Sequence, residues 1–250
     1  MTCFVLNLER DWERLEKTKS LFAPAGVNFE RINAVDAHGM SAAELRAACP
    51  LFRFYLANAR RVKAGEIGCA LSHRKAWETV VERSLPFAAV FEDDVLVDVE
   101  TLKAHLAAIE AMDDPSIPTV WLMNRGLPRP DGDAGPWYDI RKADGRQWVW
   151  GAYCYALNAT AAERLVKLLT PIVNVCDAWS TFARCGVRVL AASDAFATTR
   201  SSTSTIKRKT KSRWRYPWYR RFYWFRYRFA FWLDIFMKRL QYGRCPKRGN

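Results

Sequence analysis

The stretch Leu85–Asp98, LPFAAVFEDDVLVD, decides how this chain is read. Its apolar run has the length of a buried strand and is flanked by Pro86. Inside it sit three consecutive carboxylates, Glu92, Asp93 and Asp94. Side chains alternate along a strand, so the spacing predicts Glu92 and Asp94 on one face and Asp93 on the other. Adjacent carboxylates repel one another and lose solvation on burial, so a positive group normally offsets them. At the carboxyl end of a strand in an open α/β sheet they project into the crevice where ligands bind. Hard divalent cations take such oxygen ligands, commonly one or two carboxylates together with substrate phosphates. The competing reading is an exposed turn whose acids are solvated or cap a helix.

Working outward, TCFVLNL near the start reads as an apolar strand. DWERLEKTKSLFAPAG reads as a helix with Asp11 as N-cap and Gly26 closing it. VNFERINAVD gives a second strand and a loop ending at Asp36. Strand, helix and strand within about 35 residues is the logic of a βαβ unit, which favours an α/β fold. Residues 41–64 read as helical, and GEIGCALSHRKAWETVVERS as a long helix introduced by Gly65. PFAAVFEDDVLV is expected to be one strand, VETLKAHLAAIEAM a helix, TVWLMN a strand and residues 125–147 a loop. WVWGAYCYALN predicts a strand or hairpin, ATAAERLVKLLTP a helix and VRVLAAS the last strand. The alternation stops near Arg200, which divides the chain into a body, 1–199, and a tail, 200–250.

The 250 residues carry a net charge of +13. From Arg200 onward there are 16 Lys or Arg and one acid, Asp234, whereas the body holds 23 basic and 25 acidic residues. The basicity therefore describes the tail's partner and says little about the body. Trp218, Phe222, Phe225, Phe229, Trp232, Phe236 and Leu240 recur at helical spacing, with Arg221, Arg228 and Arg239 on another side. An interfacial helix on an anionic membrane, through residues 207–250, is the favoured reading. Stacking on single-stranded nucleic acid and docking on the body are the alternatives. The seven cysteines are scattered with no C-x-x-C pair, which argues for a reducing compartment, structural thiols and no zinc. No signal peptide and no membrane-spanning run are evident, so a cytoplasmic protein is expected.

FVLNLERDWERLEKTK, GEIGCALSHRKAW, the EDD strand end, and GAYCYALNATAAERLVKLL with Asp177 downstream occur in one order. In that order they resemble glycosyltransferase family 25, the lipooligosaccharide galactosyltransferases of Gram-negative bacteria and their collagen-modifying relatives. The resemblance covers roughly Cys3 to Asp194. It implies a GT-A-like α/β fold with a central mixed sheet flanked by helices. It also implies a UDP-sugar donor, usually UDP-galactose, a divalent metal such as Mn2+ or Mg2+, and transfer with inversion. The acceptor it suggests is a lipid-linked oligosaccharide at the inner face of the bacterial inner membrane.

On that resemblance Asp94 is the direct metal ligand. Glu92 is a second ligand or a contact to ribose or an ordered water, and Asp93 lies at the donor site. Asp177 is the general base; its alternative is an N-cap for a helix beginning at Ala178, and Asp194 is the fallback base. Asn7, Arg10 and Arg14 follow the first strand where nucleotides are recognised, and Asp36 binds uracil or ribose or closes a turn. Glu66, Ser72 and His73 support the donor, while a core role for His73 and a Ser–His nucleophile are competing readings. The only histidines are His38, His73 and His105, which leaves a third metal ligand unassigned. Another UDP-sugar donor (glucose or an N-acetylhexosamine) is the nearest rival, and a basic nucleic-acid-binding protein is the rival of another class.

Overall fold

The computed structural model describes residues 1–58, 60–124, 135–141, 149–193 and 196–200, together with 229, 232, 233, 235–237 and 240. Strand β1 (Thr2–Asn7) leads through α1 (Trp12–Phe22) to β2 (Glu30–Asn33). Helices α2 (Ala42–Ala48), α3 (Leu51–Asn58) and α4 (Ala64–Glu82) follow, then β3 (Phe87–Glu92), β4 (Val95–Val97) and α5 (Val99–Met112). The remainder is β5 (Thr119–Leu122), β6 (Trp137–Asp139), β7 (Cys154–Asn158), α6 (Ala159–Leu168), α7 (Trp179–Arg184), β8 (Arg188–Ala192) and β9 (Ala197–Thr199). No described helix is long and apolar enough to cross a membrane.

Seven strands form one mixed sheet in the order β2-β1-β3-β7-β5-β8-β6. β1 runs parallel to both β2 and β3, and β7 runs antiparallel to β3 and β5. Strand alternation places Phe4, Leu6, Ala88, Val90, Tyr155 and Leu157 on one face, where α4, α6 and α7 cover them. Cys3, Val5, Ala89, Phe91, Cys154 and Ala156 point to the other face, beneath α1 and α5. Both faces are thus apolar, which explains why the central strands read as near-continuous hydrophobic runs. Each fully buried Phe, such as Phe4 or Phe91, contributes roughly 1.5–3 kcal/mol by leaving water. The architecture is the mixed α/β sheet flanked by helices that the sequence predicts.

Three expectations are corrected. The segment read as one strand is two: β3 ends at Glu92, Asp93–Asp94 form a turn, and β4 leaves the main sheet to pair with β9. A short strand, β6, lies inside the region expected to be loop, and β9 follows the strand expected to be last. Both owe their existence to long-range pairing, β6 with β8 and β9 with β4, which local patterning does not reveal. In the tail, the few described residues are helical; Ile235 is buried and Arg184 lies 5.8 Å over the Trp232 ring. Phe229, Phe236 and Leu240 are exposed. The rest of the amphipathic helix lies outside the described residues, as do Trp218, Phe222 and Phe225.

Candidate functional site

The carboxyl ends of β1 and β3 open into a pocket lined by Arg10, Arg14, Asp36, Ser72, His73, Glu92, Asp93 and Asp94. The acid triplet forms its floor; Asp93 and Asp94 share Arg14, and Glu92 has a partner of its own. Asp93 is almost fully buried; Asn7 Nδ2 donates to its Oδ2 at 2.8 Å and Arg14 Nη2 lies 3.0 Å from its Oδ1. Burial pushes the Asp93 carboxyl up to about 6, against the pull of Arg14 and Asn7. The same Arg14 nitrogen lies 3.0 Å from Asp94 Oδ2. Arg14 is therefore the positive group that the sequence demanded beside these acids. Asp94 Oδ1 is buried with no hydrogen-bond partner among the described residues. Burial and the nearby Glu92 carboxylate raise the Asp94 pKa.

Glu92 turns the other way, toward α4, with Oε1 3.5 Å from His73 Nε2. The expected pairing of Glu92 with Asp94 on one face does not hold. The pleat ends at Glu92, and the turn brings Asp93 and Asp94 together onto Arg14. That turn is held by Thr18 Oγ1 donating to the Asp93 carbonyl and by the Arg200 amide donating to the Asp94 carbonyl. Glu92 is about one-third exposed and still faces the pocket.

At the rim, Arg10 pairs with Asp36, which also accepts from the His38 amide. The Arg10 hydrogen bond, then that of His38, holds the Asp36 carboxyl below its usual range. Ser72 Oγ donates to the Gly68 carbonyl at 2.7 Å and accepts from the Val35 amide at 2.8 Å. Its hydroxyl stitches helix to loop and is not paired with His73, which removes the Ser–His nucleophile. Two residues assigned to nucleotide contact lie off the pocket. Asn7 is buried and holds Asp93, the Asp11 carbonyl and Arg31 Nε. Glu66 caps α4 through the Lys63 amide and pairs with Arg60.

Behind Glu92, His73 is fully buried, with Nδ1 2.8 Å from Tyr155 Oη, which also accepts from Trp77 Nε1. Asp177 does not cap a helix: α7 starts at Trp179, and Asp177 Oδ2 accepts from the Gly151 amide at 2.9 Å. Burial raises its pKa, the Gly151 bond opposes this, and the Glu92 charge adds to it. Asp177 thus belongs to the same electrostatic neighbourhood as Glu92. Asp194 lies outside the described residues.

Residues 1–123 match the model of Glycosyltransferase family 25 (LPS biosynthesis protein). Over those residues the chain has the sequence pattern of family 25. Procollagen galactosyltransferase 2 of Mus musculus is 25% identical over 171 residues, covering 65% of this chain and 27% of the relative. A glycosyltransferase 25 family member of Drosophila pseudoobscura pseudoobscura is 30% identical over 183 residues, covering 66% and 28%. An inactive glycosyltransferase 25 family member 3 of Homo sapiens is 34% identical over 95 residues, covering 37% and 16%. The chain therefore spans little more than a quarter of its longer-matching relatives. A solved glycosyltransferase involved in glycosylation of the major capsid of PBCV-1 overlaps 81% of this chain and 93% of that one. Its TM-score is 0.40 at 13% identity.

The family 25 blocks acquire physical roles in this structure. In the GAYCY block, Gly151 has φ +102°, which favours glycine, and a Cβ there would lie 3.1 Å from Asn124 Nδ2 and the Tyr153 ring. Its amide serves Asp177, while its carbonyl accepts from Trp179 Nε1 and Asn124. Tyr155 of the same block orients His73. Sequence reasoning quoted this block without assigning Tyr155, and missed Thr18 and Arg31 entirely. In the GEIGC block, Cys69 Sγ lies 3.4 Å from Cys176 Sγ, a pair 107 residues apart. The Cys176 hydrogen bond brings the Cys69 thiol down to about 7 against the effect of burial.

Proposed function

We propose that this chain is a metal-dependent, inverting, GT-A-like glycosyltransferase. It moves a hexose, galactose from UDP-galactose, onto a lipooligosaccharide or lipopolysaccharide core acceptor. The observation that carries the reading is the strand-end acid floor, in which Asp94 lines a pocket with Arg10 and Arg14 and its Oδ1 has no hydrogen-bond partner among the described residues. The residues present fit a hard divalent cation, since Asp94 Oδ1 has no hydrogen-bond partner among the described residues and the Glu92 carboxylate, about one-third exposed, is near enough to raise the Asp94 pKa. Asp94 and Glu92 would hold Mn2+ or Mg2+, which supplies charge neutralisation for a diphosphate leaving group.

The chain's own groups do the rest. Arg14 fixes Asp93 and Asp94 in place and adds positive charge beside the leaving phosphates. Arg10 and Asp36 at the rim address the ribose and uracil. Asp177 takes the proton from the acceptor hydroxyl on the face opposite the leaving group. Its raised pKa brings a carboxylate closer to the range where it accepts a proton effectively. His73 and Ser72 hold the α4 wall of the donor site. The support for UDP-galactose is the family match and the galactosyltransferase relatives. The support for a lipid-linked acceptor is the family's LPS description and the basic aromatic tail. Residues 207–250 would seat the body peripherally on the anionic inner face of the bacterial inner membrane, with no nucleic acid bound.

Calorimetry of UDP binding with and without Mn2+, on wild type and Asp94→Ala, tests this reading. Metal-dependent affinity lost in the variant supports it. Metal-independent binding, or none, returns the acid floor to a structural turn. For the tail, removal of residues 207–250 should sharply reduce co-sedimentation with anionic liposomes; equal binding by the truncated chain would sink the membrane role.

A further inference from the structure

We propose that Cys69, His73 and Cys176 form a second cation site, for a borderline-soft divalent ion of the zinc type. It lies on the α4 side of the pocket floor and shares only Glu92 with the cation site proposed at Asp94. One ligand atom from each of the three residues lies within 4.8 Å of the others. Two thiolates bound at tetrahedral angles to zinc stand roughly 3.8 Å apart, from metal–sulfur bonds of about 2.3 Å. Cys69 and Cys176 stand 3.4 Å apart, so insertion of the ion asks for only a small opening. A disulfide would need closure to about 2.05 Å, a much larger movement.

The third ligand has an independent mark. His73 is 0% exposed, and its Nε2 has no hydrogen-bond partner among the described residues. Tyr155 Oη accepts from Trp77 Nε1 and sits 2.8 Å from His73 Nδ1. In the tautomer in which Nδ1 donates to that hydroxyl, Nε2 presents a bare lone pair. A second partner on the far ring nitrogen is the arrangement metal-bound histidines use to fix ring and tautomer. The fourth position falls to Glu92, whose Oε1 lies 3.5 Å from Nε2. Nitrogen and oxygen ligands on one tetrahedral zinc stand roughly 3.3 Å apart, from bonds of about 2.0–2.1 Å. Sulfur and imidazole donors select zinc or cobalt over manganese and magnesium, so the two sites differ in what they take. On binding, each thiol releases its proton to solvent as the metal–sulfur bond forms, and the His73 ring releases any proton on Nε2 as the metal–nitrogen bond forms.

The test uses the full chain, reduced, with one equivalent of cobalt(II) as a spectroscopic stand-in for zinc. Thiolate-to-cobalt charge-transfer absorption with tetrahedral visible bands is expected, and both Cys69→Ser and Cys176→Ser should abolish it. Folded wild type without these bands, or bands unchanged in both variants, overturns the site. If circular dichroism shows that the serine variants do not fold, X-ray absorption of the zinc-loaded wild type decides. A shell with two sulfurs supports the proposal, and one of nitrogen and oxygen alone overturns it. None of these readouts depends on nucleotide binding, so the outcome stands apart from that of the proposed transferase.

Discussion

Glu92 and Asp93 are neighbours in the chain, yet they face opposite sides of the sheet into unlike surroundings. On the α1 side, Asp93 and Asp94 meet a guanidinium, an amide and a hydroxyl: Arg14, Asn7 and Thr18. On the α4 side, Glu92 meets imidazole, aromatic rings and thiols: His73, Tyr155, Trp77, Cys69 and Cys176. The first cluster is held together by charge, the second by packing, hydrogen bonds to Tyr155 and the contact of Glu92 with the His73 ring. One strand end thus offers hard oxygen chemistry on one side and soft chemistry on the other, with Glu92 at the seam.

The comparison breaks most visibly at Asp177, which sits with the Glu92 side. Asp177→Asn keeps the acceptor for the Gly151 amide but removes the base, so kcat should fall by about 10²–10⁴-fold with UDP affinity unchanged. Steady-state kinetics alongside UDP calorimetry checks this; an unaltered kcat assigns Asp177 to structure alone. Next in size is Arg14→Met, which leaves the buried Asp93 and the partly buried Asp94 carboxylates without their shared cation. Full removal of one partner from a buried pair costs about 3–5 kcal/mol, and Arg14's partial exposure brings the expected loss to about 2–3 kcal/mol. Urea unfolding measures it, and added Mn2+ should recover part of the loss if Asp94 holds a cation. On the α4 side, Tyr155→Phe strips the acceptor from buried Trp77 Nε1 and the partner from His73 Nδ1. It should cost about 2 kcal/mol, and Mn2+ should recover none of it.

The smallest effect is a pH slope to which Asp93, on the α1 side, contributes. Asp93 has a pKa of about 6 in the folded chain, against an ordinary value of 3.8. Between these values the folded state binds more protons than the unfolded one, so stability should decline as pH rises from about 4 to about 6. Asp93→Asn should flatten the slope in chelator-treated protein followed by thermal unfolding. A slope unchanged in the variant would move its origin to another group.

Much of this contrast was legible in the chain beforehand. The charged triplet inside an apolar run announced a strand end with a cationic partner, and Arg14 stood among the expected nucleotide contacts. The alternation that paired Glu92 with Asp94 failed because β3 stops at Glu92 and the chain turns at Asp93–Asp94, although the apolar run continues to Val97. β4 is drawn away by β9, a hundred residues downstream in the chain, and no local pattern records that pull. Asn7 and Glu66 looked like ligand contacts because polar residues beside a strand end or a helix start serve either purpose. Here Asn7 satisfies a buried carboxylate and Glu66 an open helix amide. The thiol cluster was hidden for a simpler reason: spacing reveals a metal site only when its ligands are close in sequence. The tail's periodicity remains a sequence argument, with Ile235 and Trp232 showing that part of it meets the body.

Gly68 carries a consequence for motion. A Cβ there would lie 2.6 Å from the Val35 carbonyl oxygen, and one turn later Ser72 accepts the Val35 amide. Helix α4 and the Asp36 loop are therefore clamped at two successive points, with no slack for side chains between them. The wall bearing His73 and the wall bearing Asp36 must travel together. The spacing between those two walls is therefore set by the fold, and a guest is expected to be admitted without closure of α4 onto the Asp36 loop.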